Sequence, residues 1–313
     1  MAAGKNSMRG TSAARPIAVM LCAVFGAVSV CSQVSTIRVA ANLVLTPVSA
    51  TDAAGRTVRN LKLEDFEIEE SGIRVPAARL GEPGEAPLEL AMLFDMSGSV
   101  YSLFELERQA AARFLGRTMR SWDSVFIISI ANEPRMLQER TSSLELALKA
   151  VAALSPTTQA TAFFDSINRA ALLLREVERP DARRVIVALS DGEDNRSVGN
   201  RLDDVMRELQ LTTCLFYSIN PRGPSYSKNL FGRRAQESME QLARQTGGAS
   251  FVVDKVEDLT EFYDRIADEL QGQYLLGYYS PAKTGSRIYR RISIKVRARP
   301  DLQVKARSGY YPR

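Results

Sequence analysis

An apolar run at 88–94 ends abruptly at Asp95, and Ser97 and Ser99 follow it directly in the sequence LELAMLFDMSGS. A continuous apolar run of this length is typical of a strand that is buried on both faces of a parallel sheet. One carboxylate and two hydroxyls on the loop after such a strand form a hard oxygen donor set that suits Mg²⁺ or Mn²⁺. The stretch therefore predicts an α/β fold with a candidate metal site at the end of a strand.

Strand-like and helical runs alternate beyond this point. Strands are expected at 88–94, 124–130, 184–189, 213–219, 250–253 and 273–278, with an antiparallel edge strand in the run RMLQER. Helical periodicity lies between most of these runs, as at 100–119 and 162–176. This alternation predicts a doubly wound, mostly parallel six-stranded sheet with helices on both faces.

Two further residues extend the candidate site. Thr161 opens a predicted helix, and Asp191 ends another apolar strand. Ligands of open α/β sheets bind outside the carboxyl ends of the strands, where the strand order reverses. The alternative for Asp95 and its two serines is helix capping, because a helix is expected to begin near residue 100.

Taken together, three motifs resemble the metal-ion-dependent adhesion site of the von Willebrand factor A domain. They are DMSGS from Asp95, ATAFFDSI around Thr161, and LSDGEDN around Asp191. The flanking motifs LKLEDFEIEESG, ELQGQYLLGYYSP, RISIKVR and SGYYPR resemble a secreted bacterial group of von Willebrand factor A-related proteins. The resemblance implies a non-catalytic module that binds a protein partner.

The resemblance also implies roles for individual residues. The hydroxyls of Ser97, Ser99 and Thr161 would contact Mg²⁺, or Mn²⁺ or Ca²⁺, while Asp95 and Asp191 act directly or through water. An open metal position would take an acidic side chain of the partner. Relatives usually carry glycines before the threonine, whereas Gln159 and Ala160 stand here; this departure leaves a metal-free structural scaffold as an alternative.

The flanks predict the remaining organisation. Residues 1–32 have the basic and apolar regions of a secretory signal peptide, with a retained anchor or lipidation at Cys31 as alternatives. We therefore expect a secreted, periplasmic or envelope location and no membrane span in the mature protein. Short alternating strands are expected at 33–84 and 280–313, which would form a small β-sandwich around a von Willebrand factor A domain at 85–279.

The amino-acid composition argues against several classes of function. The chain has no histidine, which removes histidine-based catalysis and histidine-ligated zinc. Its net charge of +5 is spread along the sequence without a basic run, so nucleic-acid binding is not indicated. A metal-dependent hydrolase is the weaker alternative, because the second aspartate of haloacid-dehalogenase-type enzymes is replaced here by Ser97.

Overall fold

The computed structural model describes residues 42–97, 104–157, 160–226, 229–255, 257–282, 286 and 288–312. The predicted signal peptide at 1–32, Ser99 and Gln159 lie outside the described residues.

A six-stranded sheet occupies the centre of the α/β part. Its strands are β5 (Leu88–Asp95), β6 (Ser124–Ile130), β7 (Arg135–Thr141), β8 (Arg183–Leu189), β9 (Leu215–Asn220) and β10 (Ser250–Val252). They lie in the order β10-β9-β8-β5-β6-β7, and all neighbours are parallel except the antiparallel edge strand β7. The predicted doubly wound, mostly parallel sheet is confirmed, including its antiparallel edge.

Helices cover both faces of this sheet. They are α1 (Phe104–Thr118), α2 (Leu144–Ala152), α3 (Phe163–Arg175), α4 (Leu202–Thr212), α5 (Leu230–Thr246) and α6 (Asp258–Gln271). All eight residues of β5 are buried. Leu90 and Met92 pack with α1, α2 and α6, whereas Ala91 and Leu93 pack with α3, α4 and α5. The strand is apolar throughout because successive side chains enter two different cores.

The strand order reverses at β5. The chain passes from β5 to β6 on one side and returns to β8 on the other side of β5. The carboxyl ends of β5 and β8 are therefore neighbours, although about ninety residues separate them in the sequence. This arrangement brings the loops after Asp95 and Leu189 to the same edge of the sheet.

Two antiparallel sheets form the rest of the described chain. Their strands are β1 (Asn42–Thr51), β2 (Phe66–Glu70), β3 (Ile73–Val75), β4 (Ala77–Gly81), β11 (Tyr274–Ser280), β12 (Arg290–Val296), β13 (Gln303–Lys305) and β14 (Gly309–Tyr310). One sheet has the order β13-β1-β11-β4 and the other β14-β12-β2-β3. The inner faces share one apolar core, which contains Val48 and Leu276 of the first sheet and Ile68 and Ile292 of the second. The N- and C-terminal flanks therefore supply strands to the same small sandwich.

The prediction for the strand at 273–278 was wrong about the sheet to which the strand belongs. We predicted it as the last strand of the α/β series, but β11 lies in the antiparallel sheet between β1 and β4. Residues Tyr274 to Tyr278 are all buried, so the sequence shows no polar face. An apolar run of this kind does not reveal which sheet buries it.

The sandwich meets the α/β part at the amino ends of the parallel strands. The guanidinium of Arg183, at the start of β8, donates a hydrogen bond to the carbonyl of Leu270 in α6. Nearby, Glu269 accepts hydrogen bonds from Ser49 in β1 and Tyr217 in β9, and it pairs with Lys305 in β13. The carboxylate of Glu269 thus joins strands of both architectures. Within the described ranges, no helix has the length and apolar character needed to cross a membrane.

Candidate functional site

Asp95 ends β5 at the edge where the strand order reverses. Its side chain is buried, with 2% of the residue exposed. The Asp95 Oδ1 atom accepts a hydrogen bond from the backbone N–H of Ser97 at 2.9 Å, and Oδ2 accepts one from the Ser190 hydroxyl at 2.6 Å. The first contact folds the loop back on the aspartate, and the second joins β5 to the end of β8. The predicted residue Ser97 therefore lies against Asp95.

Asp191 occupies the matching place after β8. It is also buried, and its Oδ1 atom accepts a hydrogen bond from the backbone N–H of Glu193 at 3.0 Å. This turn has the same aspartate-to-backbone geometry as the turn at Asp95 and Ser97. The Ser190 hydroxyl also accepts a hydrogen bond from the N–H of Gly192, so one serine fixes both the Asp191 turn and the Asp95 carboxylate.

Thr161 lies beside the Asp191 loop, just before α3. The residue is buried; its N–H donates to Asn195 Oδ1 at 2.9 Å, and its carbonyl accepts from the backbone N–H groups of Asn195 and Arg196. The side chain of Asp194 accepts from the N–H of Phe163 at 2.9 Å, which caps the first turn of the helix. The structure therefore brings Asp95, Thr161 and Asp191 to one edge of the sheet.

The threonine loop is fixed from its other side as well. The N–H of Ala160 donates to Asn132 Oδ1 at 3.0 Å, and the N–H of Ala162 donates to the carbonyl of Ala131. Thr157 also donates to the carbonyl of Met96, the residue after Asp95, through its N–H at 2.6 Å and its hydroxyl at 3.1 Å. These bonds hold the threonine loop between the β5 and β6 ends.

Two neighbouring carboxylates, those of Asp95 and Asp191, are buried at this edge, so their negative charges require compensation. Burial raises the pKa of Asp95 to about 6; hydrogen bonds from Ser190 and Ser97 oppose this rise, and the nearby Asp191 charge adds to it. Charged groups are stable away from water only when they are paired or coordinate a metal. A divalent cation between the loops would neutralise both carboxylates, so the residues present fit the metal that the motifs imply.

The candidate site has few negatively charged metal ligands. Within the ranges that the structure describes, no three His, Cys, Asp or Glu side chains are grouped so that they could hold a metal ion. Asp95 and Asp191 would therefore share an ion with hydroxyl groups rather than with a carboxylate cage. Such an ion keeps part of its positive charge and attracts an anionic oxygen from outside the protein.

Sequence reasoning missed a cation at this site. Arg222, on the turn after β9, lies with its Nη1 atom 3.2 Å from Asp191 Oδ2. The rule that parallel strands end at the same edge could have drawn attention to this turn, because β9 is the neighbour of β8. It could not have shown which side chain of the turn contacts Asp191. Asn195 and Asp194, on the loop after Asp191, bind the backbone of the threonine loop.

A pocket opens next to the site. Its cavity volume is ≈ 390 Å³, and its lining includes Phe164, Glu193, Asp194, Phe231 and Arg234. Phe231 is 73% exposed although it is a large aromatic side chain. The pocket shares the loop after Asp191 with the candidate site.

A third buried carboxyl, close to Asp95, belongs to Glu107 on α1. Glu107 is 2% exposed, and burial, reinforced by the charge of Asp95, raises its pKa to about 8. Among the described residues its Oε1 atom and the hydroxyl of Tyr263 have no hydrogen-bond partner. Glu107 is therefore neutral near pH 7 and adds no third negative charge to the site.

Comparison with known proteins agrees with this architecture. Residues 90–193 match the family model of the von Willebrand factor type A domain. Proximal thread matrix protein 1 from the mussel byssus, in a structure with zinc at its adhesion-site motif, has a TM-score of 0.51 and 16% identity. That alignment covers 66% of this chain and 50% of the mussel protein.

Two bacterial structures are also similar. The conserved hypothetical protein BatB from Bacteroides thetaiotaomicron has a TM-score of 0.45 and 15% identity, with 58% of this chain and 98% of BatB covered. A von Willebrand factor type A protein from Catenulispora acidiphila has a TM-score of 0.49 and 11% identity, with 81% and 69% covered. No curated protein matches the chain. The α/β part thus has the fold of a von Willebrand factor type A domain, a fold commonly used for protein interaction.

Proposed function

We propose that this protein is a non-catalytic binding module that engages an acidic side chain of a protein partner through a divalent cation. Asp95, Ser97, Ser99, Thr161 and Asp191 would hold the ion, with Mg²⁺ preferred and Mn²⁺ or Ca²⁺ as substitutes. The observation that carries the proposal is the pair of buried carboxylates at the ends of β5 and β8, with Thr161 hydrogen-bonded into the same edge.

The chemistry of the site favours binding over catalysis. A hydrolase at this edge would need a general base near an activated water. Asp95 and Asp191 are held by hydrogen bonds and an ion pair, and the chain has no histidine. A metal-bound partner carboxylate needs no proton transfer, so the donor set suits association.

Location and origin are part of the proposal. The basic and apolar pattern of residues 1–32 supports export, and the flanking motifs support the secreted bacterial group named above. We propose a secreted or envelope-attached protein whose described part lies outside the cytoplasm. Cell fractionation tests this part of the proposal. We expect the mature chain in the medium or the envelope fraction, and we expect the chain that lacks residues 1–32 to stay inside the cell.

Calorimetric titration of Mg²⁺ and Mn²⁺ into the purified chain tests the metal site. We expect binding by the wild type, loss of binding in Asp95→Ala, and weaker binding in Thr161→Ala, because the first removes a carboxylate and the second a hydroxyl ligand. Asp203→Asn is the matched control, since it removes an exposed carboxylate in the first turn of α4. Equal binding by Asp95→Ala and the wild type would contradict the proposed site.

A metal-free scaffold is the second candidate. The ion pair between Arg222 and Asp191 favours it, because a guanidinium already neutralises one of the two buried carboxylates. Absence of Mg²⁺ and Mn²⁺ binding by the wild type, together with an unchanged partner interaction in EDTA, would support this candidate.

A further inference from the structure

We infer that Arg222 is an internal counter-ion of the site, which occupies Asp191 in the metal-free protein and competes with the divalent cation for that carboxylate. This inference rests on the proposed metal site and adds a residue that sets its affinity.

The ion pair is partly shielded from water. The Asp191 side chain is 2% exposed and that of Arg222 is 35% exposed. The guanidinium therefore reaches a buried carboxylate from a partly open position, and it can leave that position without unfolding the loop. Because a buried carboxylate interacts strongly with its counter-ion, exchange of the guanidinium for a metal ion carries a measurable free energy.

The turn that carries Arg222 is built from buried contacts. Asn220 ends β9 and is fully buried; its Oδ1 atom accepts from the N–H of Arg222 at 3.0 Å, and its Nδ2 donates to Gln236 at 3.1 Å. The next residue, Gly223, has a φ of +75° and lies close to the carbonyl of Val253. The backbone at Arg222 is thus fixed at the carboxyl edge, where Asp191 lies.

An aromatic ring positions the guanidinium as well. The Arg222 Cζ atom lies 4.0 Å from the ring centroid of Tyr226, which is itself buried. Stacking on an aromatic face stabilises a guanidinium that has lost part of its hydration. The same ring offers Arg222 a place to remain after a metal ion has taken Asp191, so release does not require full exposure.

The charges at the edge explain why such a counter-ion is useful. Asp95 and Asp191 are both buried at the ends of neighbouring strands, so their negative charges repel each other. Without a positive charge the metal-free protein would hold two neighbouring buried carboxylates. Arg222 neutralises one of them, which stabilises the empty site and weakens metal binding by the same free energy.

The test compares wild type, Arg222→Gln and Arg222→Lys as complete chains. Arg196→Gln is the matched control, because it removes the same charge from an exposed position on the loop after Asp191. Mg²⁺ affinity is measured by calorimetry, and the free energy of unfolding is measured by urea titration in EDTA and in saturating Mg²⁺.

We expect Arg222→Gln to bind Mg²⁺ about tenfold more tightly than the wild type, which corresponds to about 1.4 kcal/mol. Arg222→Lys should lie between the two, and Arg196→Gln should match the wild type. In EDTA, Arg222→Gln should be less stable than the wild type, and saturating Mg²⁺ should remove this difference because the ion replaces the lost charge.

The outcomes separate this inference from the proposed function. Equal or weaker Mg²⁺ binding by Arg222→Gln, with binding by the wild type intact, would overturn the role of Arg222 and leave the metal site in place. Binding by Arg222→Gln alone would support the inference in its strongest form. If no variant binds Mg²⁺ or Mn²⁺, the metal site and the competition at Asp191 are both refuted.

Discussion

Replacement of Asp95 by asparagine should stabilise the metal-free protein while it removes the metal response. Burial raises the pKa of Asp95 to about 6 from an ordinary value of 3.8. The folded protein therefore binds this proton more tightly than the unfolded chain does. In EDTA, the wild type should lose stability as the pH rises from about 4 to about 6, and the loss should be complete above about pH 6.

The size of the effect follows from the same pKa values. A difference of about two pKa units corresponds to ~3 kcal/mol at neutral pH. Asparagine keeps the shape of the side chain: its Oδ1 can accept from the N–H of Ser97, and its Nδ2 can donate to the Ser190 hydroxyl. Because that hydroxyl then needs a new acceptor, we expect a gain of about 2 kcal/mol for Asp95→Asn near pH 7.

Urea unfolding of the wild type and Asp95→Asn, in EDTA and in Mg²⁺ over a series of pH values, measures both effects. In EDTA the variant should be more stable above about pH 6, and the difference should vanish near pH 4. Mg²⁺ should stabilise the wild type only. Asp203→Asn should change stability by less than about 0.5 kcal/mol, because it alters an exposed residue. Equal stability of the wild type and Asp95→Asn in EDTA near pH 7 would refute the reasoning.

Three further perturbations test other parts of the structure. Glu107→Gln should be more stable than the wild type by up to about 3 kcal/mol near pH 7. This difference in the free energy of unfolding should grow from about pH 4.5 to about pH 8, because the unfolded chain loses the Glu107 proton at the lower pH and the folded protein at the higher one. Denaturation over this pH range measures the difference, and a constant difference would contradict the prediction. Glu269→Ala should lower the free energy of unfolding by about 3 kcal/mol, because it leaves Lys305, Ser49 and Tyr217 without their shared acceptor; exposed Glu261→Ala is its control, and equal denaturation midpoints would contradict it. Deletion of residues 290–313 removes β12 to β14 and should expose 42–81 to limited proteolysis, whereas unchanged protection of that segment would show that it folds without these strands.

The sheet and the edge that carries the site were predictable because they depend on a regular pattern. The apolar run before Asp95 and the one before Asp191 each require a strand buried on two faces, and alternation with helices makes those strands parallel. Parallel strands end at one edge, so two residues distant in sequence could be placed together. β8, the fourth strand of the six-stranded sheet along the chain, lies beside β5, the first.

Other features depend on contacts that leave no periodic trace. Residues 274–278 are buried on both faces, so the pairing of this strand with β1 was not visible in the sequence. Arg222 is one of many arginines, and only the turn held by Asn220 directs it to Asp191. Glu107 lies three residues after Phe104 and four before Ala111, on the buried stripe of α1. Its position on that stripe is a signal that could have identified it as a buried acid.

The junction at Glu269 lies far from the candidate site. The sandwich strands β1 and β13 contact Glu269, which precedes Leu270 at the strand starts, whereas Asp95 lies at the other end of β5. Eight residues of extended chain span about 26 Å. The candidate site is therefore separated from the contacts of the sandwich by about the length of one strand.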